Sequence, residues 1–310
     1  MNTICAPSAS RPNDDRRYTA MRKRFRTVWI SDVHLGSNTV RGADLSHFLR
    51  HISCDRLYLV GDIVDMWRLR QRWRWPACHN DVVRRLLKLA SKGVEVIWIP
   101  GNHDDAIRPY DGLSIGGIRV ELMSAHETAD GRRLLVTHGD HHDLVVCSSK
   151  ALATLGSVGY DLLLGLNRIW NGIRRRVGLP YHSLSQAIKD RVKSACAVIS
   201  RFEDALEAEA RRGGFHGVVC GHIHKAECRA KEGFIYLNCG DWVESCTALV
   251  EHADGSLEIL DGLAFNERIR AEKAASRVEE PADETEAWPE PHLGLRSGEL
   301  ARRWNELFAA

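Results

Sequence analysis

Short apolar runs recur through the middle of the chain, each ending abruptly in a glycine, an acid or a histidine. Thr27-Val28-Trp29-Ile30, Arg56-Leu57-Tyr58-Leu59-Val60 and Val94-Glu95-Val96-Ile97-Trp98-Ile99 are too short and too rich in β-branched and aromatic residues for helices, and they predict buried strands. Amphipathic stretches near 41–51 and 80–91 separate them and predict helices. Strand, helix and strand in that order predict parallel pairing, with chemistry at the carboxyl ends of the strands. Further runs at Arg133–Thr137, Gly217–Cys220, Gly233–Asn238, Thr247–His252 and Ser256–Leu260 are strand-like, and Asp254-Gly255 is a hairpin turn signal. The second half is therefore expected to hold more antiparallel connections, and a sheet packed on a sheet with helices outside accommodates both halves.

The ends differ from this pattern. Residues 1–24 mix Pro, Asn, Asp, Ser and Arg without periodicity and read as a flexible leader. A domain is expected over 25–262, interrupted by a helical insertion at 147–212. Residues 263–310, with Val278-Glu279-Glu280-Pro281 and a later Pro289, are expected to form a partly disordered C-terminal extension. The 44% hydrophobic content can supply a sizeable core for 310 residues. Charge is nearly balanced, 43 basic against 41 acidic residues, which removes the bulk field that non-specific nucleic-acid binding needs. The nine cysteines follow no CxxC spacing and read as reduced thiols. No stretch reaches the 18 apolar residues of a spanning helix, and the N-terminal arginines precede no apolar export segment.

The chemistry sits at the ends of the runs: Ser31-Asp32-Val33-His34, Gly61-Asp62 with Asp65 beyond, Gly101-Asn102-His103-Asp104, His138-Gly139-Asp140-His141-His142 and Gly221-His222-Ile223-His224. Hard oxygen and imidazole ligands repeated at strand ends point to a pair of divalent metals and to hydrolysis of a phosphate ester or anhydride. In extended backbone, residues i and i+2 share a side, so Asp32 with His34, and His222 with His224, are expected to converge from strand geometry. Asp62 follows a glycine that permits close approach and is the candidate bridge between two ions. Asn102 offers a neutral carbonyl oxygen, His138 lies first beyond its run, and His103 is placed to protonate a leaving oxygen. Asp65, Asp104 and His141 are expected behind the ligands as supports, whereas His79, His126 and His216 lack ligand spacing. Each motif alone reads equally well as a polar turn; their ordered repetition favours the metal reading.

That ordered set resembles the calcineurin-like metallophosphoesterases over roughly residues 25–262. The resemblance implies an α/β, four-layer αββα sandwich with, here, a helical insertion cap. It also implies Asp32, His34, Asp62 and His224 at one metal, and Asp62, Asn102, His138 and His222 at the other. Within the family the chain looks closest to the UDP-2,3-diacylglucosamine diphosphatases, peripheral inner-membrane enzymes of lipid A synthesis on the cytoplasmic side, which cleave the diphosphate of a nucleotide-lipid to a lipid monophosphate and UMP. Trp67, the His138-Gly139-Asp140 segment and the long insertion before Gly221 carry that closer likeness. One departure is His103, where that branch often has arginine. A phosphoprotein phosphatase, a small-nucleotide phosphodiesterase and a metal-stabilised scaffold stay open as alternatives. Mixed carboxylate, amide and imidazole ligands suit manganese, with iron or zinc next.

Two other stretches bear on the substrate. Between Ala151 and Pro180, leucines including Leu162 and Leu166 mix with Arg174, Arg175 and Arg176, a composition that could bury acyl chains and meet phosphate or lipid headgroups. The same leucines could equally pack a helix against the domain. Trp67, Trp73 and Trp75 alternate with Arg68, Arg70, Arg72 and Arg74, a pattern for stacking on a base, for a membrane surface or for plain packing; Arg68 is the substrate-binding candidate. From Leu184 to Leu206 apolar residues fall three or four apart, a core-facing helix stripe.

Overall fold

A computed structural model describes residues 22–145 and 199–278. The expected leader up to residue 21, most of the insertion with Leu162, Leu166, Arg174 and Arg175, and the chain beyond residue 278 lie outside the described residues. The described strands are β1 (Lys23–Arg24), β2 (Thr27–Ile30), β3 (Ile52–Ser53), β4 (Arg56–Val60), β5 (Glu95–Ile99), β6 (Ser114–Ile115), β7 (Ile118–Val120), β8 (Ser124–Glu127), β9 (Arg133–Val136), β10 (Gly217–Cys220), β11 (Glu227–Lys231), β12 (Phe234–Asn238), β13 (Thr247–Glu251) and β14 (Leu257–Asp261). The helices are α1 (Gly42–His51), α2 (Met66–Gln71), α3 (Ala77–Ser91), a helix over 199–212, here α4, and α5 (Gly262–Val278).

Two sheets carry the domain. One has seven strands in the order β14-β13-β2-β4-β5-β7-β6, the other five in the order β11-β12-β10-β9-β8. β2, β4 and β5 pair in parallel, as do β9 and β10, while β13–β14 and β11–β12 are antiparallel. The hairpin joining β13 to β14 turns at Gly255, whose φ of 85° is left-handed and suits glycine.

The period of two in each strand decides which layer a side chain enters. Trp29, Tyr58, Val60, Ile97 and Ile99 meet Leu134, Val136, Val219 and Leu237 between the sheets. Their strand neighbours Val28, Ile30, Leu57 and Leu59 face outward against Leu45, Phe48 and Leu49 of α1 and Val82, Leu86 and Leu89 of α3. On the far side, Leu135, Val218 and Cys220 pack against Phe202, Leu206 and Ala210 of α4, which recur every fourth residue. Strands buried on both faces need apolar residues at nearly every position, which is why they read as continuous runs. The result is helices, sheet, sheet and helix in four layers. Six described cysteines are free, and no helix among the described residues is long and apolar enough to cross a membrane.

The boundary expected at residue 262 is corrected by α5. Phe265 and Ile269 are buried in the core beside Phe48, and Asn266 donates to the carbonyl of Asp44 at 2.9 Å. The alanine- and glutamate-rich composition that suggests a loose tail is also strongly helix-forming, and residues four apart give it a face to bury. The described part of the expected extension is thus a structural helix. Replacing Phe265 with alanine should destabilise the protein by about 3–5 kcal/mol in denaturant unfolding, the range for losing a buried phenyl group. A change below about 0.5 kcal/mol would mean that α5 does not belong to the core.

Candidate metal centre

All five motifs meet at one edge of the sandwich, beyond the carboxyl ends of β2, β4, β5, β9 and β10. Two sheets packed face to face bring their parallel strand ends together, and this is the place where loops from both can converge. The local backbone is not the extended geometry expected for Asp32/His34 and His222/His224. Asp32, His34, Asp62, His222 and His224 have φ of 50°, 55°, 54°, 71° and 56°. The chain therefore coils tightly past the strand ends in left-handed conformations, each costing a non-glycine residue about 1–2 kcal/mol. Convergence of the ligands comes from this coiling, not from strand alternation.

Six of the seven expected ligands fall into two groups joined through Asp62. Asp32, His34 and His224 present ligand atoms within 4.8 Å of one another, and so do Asp62, His138 and His222. His34 Nε2 lies 3.4 Å from His224 Nε2, and His224 Nε2 lies 3.2 Å from Asp32 Oδ1. Asp62 turns one oxygen to each side: Oδ2 is 3.8 Å from His34 Nε2, and Oδ1 is 3.5 Å from His138 Nε2. His103 belongs to this neighbourhood as well, with Nε2 3.9 Å from Asp62 Oδ2.

The donor set fits divalent cations. Asp32 Oδ1, Asn102 Oδ1 and His138 Nε2 are buried and make no hydrogen bond of acceptable geometry. Buried polar atoms left without partners are costly, and cations placed among them would satisfy all three. His138 donates its Nδ1 hydrogen to the carbonyl of Val60 at 3.0 Å, which aims Nε2 at Asp62. Small residues make the room. A Cβ at Gly61 would collide with the His138 ring, one at Gly101 with Asp62, and one at Gly221 with Asp32.

The supports are less evenly legible. The carboxylate of Asp104 is fully buried and accepts from the backbone N–H of Gly101 at 2.5 Å and of Ile63 at 2.8 Å, and from Trp98 Nε1 at 3.1 Å. It ties the turn carrying Asp62 to the turn carrying Asn102. Asp65 caps α2 through Arg68 N–H at 3.0 Å and accepts from His103 Nδ1 at 3.0 Å. An ionised carboxylate only accepts, so the hydrogen of His103 sits on Nδ1 and Nε2 faces the centre. Trp67 is half-exposed on α2 and lies over His103 with ring centroids 4.3 Å apart. Arg68 is exposed and contacts Asp65 at 3.3 Å; Trp75 packs on the core and donates to Asn80. His141 is corrected: its partners are His142 and Glu209, not the ligands. Sequence reasoning passed over Asn238, which donates to the carbonyl of Gly221 at 2.8 Å and steadies the turn before His222. A polar residue closing the apolar run of β12 was the available signal.

Electrostatics place the charge. Burial opposes ionisation of Asp32 and Asp62, but His224 takes Asp32 down to about 2, and His138 holds Asp62 far below the usual carboxylate range. Burial pushes His34 down to about 4 in spite of Asp62 and Asp32, so its imidazole is neutral and able to coordinate. Burial, with Asp62 nearby, raises Asp104 to about 6. Burial also works against a charge on His138, yet Asp62 carries that imidazole up to about 10. Without metal His138 is therefore protonated at neutral pH, and a cation must displace that proton. Metal affinity should rise about tenfold per pH unit between about pH 6 and 8, with close to one proton released per centre in a weakly buffered titration. Affinity that stays flat with pH would contradict His138 as a ligand.

The family model described as calcineurin-like phosphoesterase matches residues 25–226. A UDP-2,3-diacylglucosamine hydrolase of Histophilus somni (strain 2336) is 22% identical over 237 residues, covering 74% of this chain and 97% of that one. One of Neisseria meningitidis serogroup B is 27% identical over 250 residues, covering 76% and 95%. Among solved structures, an archaeal phosphodiesterase aligns with a TM-score of 0.37 at 13% identity, covering 76% of this chain and 98% of its own.

Proposed function

The chain belongs to the calcineurin-like phosphoesterase family and is a metal-dependent phosphoester hydrolase, and on that premise we propose that it cleaves the diphosphate of UDP-2,3-diacylglucosamine or a related nucleotide-lipid. The observation that carries the chemistry is Asp62, which turns one oxygen to each ligand group. When bound, two divalent cations neutralise phosphoryl oxygens and acidify the attacking water; manganese suits the mixed ligands first, then iron or zinc. The substrate class rests on the names of relatives 22% and 27% identical and on the apolar, arginine-bearing composition of residues 151–180. A nucleotide-lipid would bring the protein into transient contact with the inner membrane surface from the cytoplasm.

The protein's own residues divide the work. Asp32, His34, Asp62, Asn102, His138, His222 and His224 hold the cations. His103, its Nδ1 hydrogen held by Asp65 at 3.0 Å, presents Nε2 toward Asp62; when that nitrogen also carries a proton, it can pass it to the leaving oxygen as the phosphorus–oxygen bond breaks and return to the neutral Nδ1–H ring. Trp67 covers one face of that ring and limits its rotation. Arg68, Leu162, Leu166, Arg174 and Arg175 are assigned to substrate, the arginines to phosphate or headgroup oxygens and the leucines to acyl chains.

Asp62→Ala should lose both bound metal and turnover. His103→Ala should keep most of the metal and lose about 10²–10⁴-fold in kcat. Equal metal loss in the two variants would remove His103 from proton transfer and make it a ligand. Substrate class is tested with UDP-2,3-diacylglucosamine, a nonacylated UDP-sugar, bis-p-nitrophenyl phosphate and a phosphopeptide; preference for the phosphopeptide would overturn the nucleotide-lipid reading. Neutralising Arg174 and Arg175 together with polar replacement of Leu162 and Leu166 should raise KM for the diacyl substrate at least about tenfold more than for the small diester. Equal losses on both, with metal content and circular dichroism intact, would contradict acyl recognition by this segment.

A further inference from the structure

Apart from the main centre, His141, His142 and Glu209 form a group of side chains of the types that can ligate a metal. His141 Nε2 and His142 Nε2 lie 2.9 and 3.1 Å from the same oxygen, Oε2 of Glu209. The two histidines are consecutive on a short 3₁₀ turn over Asp140–Val145, whereas Glu209 comes from α4, so three side chains from distant parts of the chain aim at one point. Their rings sit 4.2 Å apart, close enough for two imidazolium charges to repel each other. All three are partly exposed, which leaves an entry path and room for water.

The surroundings hold this trio in place. Phe202 and Leu206 of α4 are fully buried, and a Cβ at Gly139 would collide with the Phe202 ring, so turn and helix are in tight contact. Asp140 accepts from Arg108 at 2.6 Å, which pins the turn from its other side. Burial pushes the Glu209 carboxyl up, but the two imidazoles hold it below the usual range, so it is ionised and can coordinate. Among the described residues, the side-chain partners of His141, His142 and Glu209 are one another.

We propose that His141, His142 and Glu209 bind a third divalent cation, zinc by preference, that fastens α4 to the turn bearing His138. Two imidazole nitrogens and one carboxylate oxygen with an open position are a zinc donor set, completed by water. Tetrahedral zinc with bonds of about 2.0–2.1 Å spaces its ligands about 3.3 Å apart, so the present contacts need to open by only a few tenths of an ångström. With Glu209 ionised, both Nε2 atoms donate to it; coordination replaces those hydrogens with one ion, and each neutral ring carries its hydrogen on Nδ1. The site is independent of the reading given to the main centre. It lies on the stretch between His138 and the segment that follows, where it would stiffen one wall of the active site.

The test uses full-length, metal-stripped protein carrying Asp62→Ala, compared with the same protein carrying Asp62→Ala and Glu209→Gln. Zinc is titrated by calorimetry, and bound ions are counted by elemental analysis after gel filtration. The first protein is expected to hold one more zinc per chain than the second and to gain thermal stability on adding zinc that the second does not gain. Glutamine keeps the length and polarity of the side chain while ligating zinc weakly. Should circular dichroism show that it disturbs α4, His142→Ala in the same background makes the same comparison. Equal zinc counts and affinities in the paired proteins would overturn the site and leave Glu209 as a hydrogen-bond partner of two histidines. Residual ions at the main centre appear in both proteins and cancel, so a failure of the Asp62 assignment is distinguishable from a failure of this one.

Discussion

Two carboxylates, Asp32 and Asp62, are buried side by side at the meeting point of two sheets, and everything around them follows from the need to balance their charge. An uncompensated carboxylate in such a place would take up a proton instead of remaining ionised. Here both stay ionised because imidazoles from three other strand ends surround them. The same imidazoles and oxygens leave three buried atoms at the site without hydrogen-bond partners, a pattern that cations would resolve and apolar packing does not.

The fold supplies this meeting point by ordinary packing. Parallel strands buried on both faces end together at one edge, and the sheets carry β2, β4 and β5 from one side and β9 and β10 from the other to that edge. Five residues in left-handed conformations then turn the ligands inward. Such strain persists because the surroundings overdetermine it. Asp104 does much of that: one buried carboxylate gathers backbone N–H groups from two ligand-bearing turns.

The strands were legible, as was the gathering of Asp and His side chains that could hold metal, because each depends on residue type at fixed spacing. Val28, Trp29 and Ile30 announce a strand buried on both faces, and Asp32 and His34 beyond it announce a ligand pair whatever the local backbone does. The backbone itself was not legible: an Asp-x-His sequence is compatible with extended or left-handed geometry, and only the packing of two sheets selects the second. α5 was hidden because its buried residues Phe265 and Ile269 are diluted among alanines and charges. His141 was placed too close to the centre because sequence adjacency to His138 stood in for spatial contact, while its actual partner Glu209 is 68 residues away along the chain.

Anomalous X-ray diffraction from manganese-loaded crystals tests the central claim most directly. Two peaks about 3.5–4 Å apart are expected, both within coordinating distance of Asp62 and one on each side of it. A single peak, or a pair that Asp62 does not join, would contradict the account.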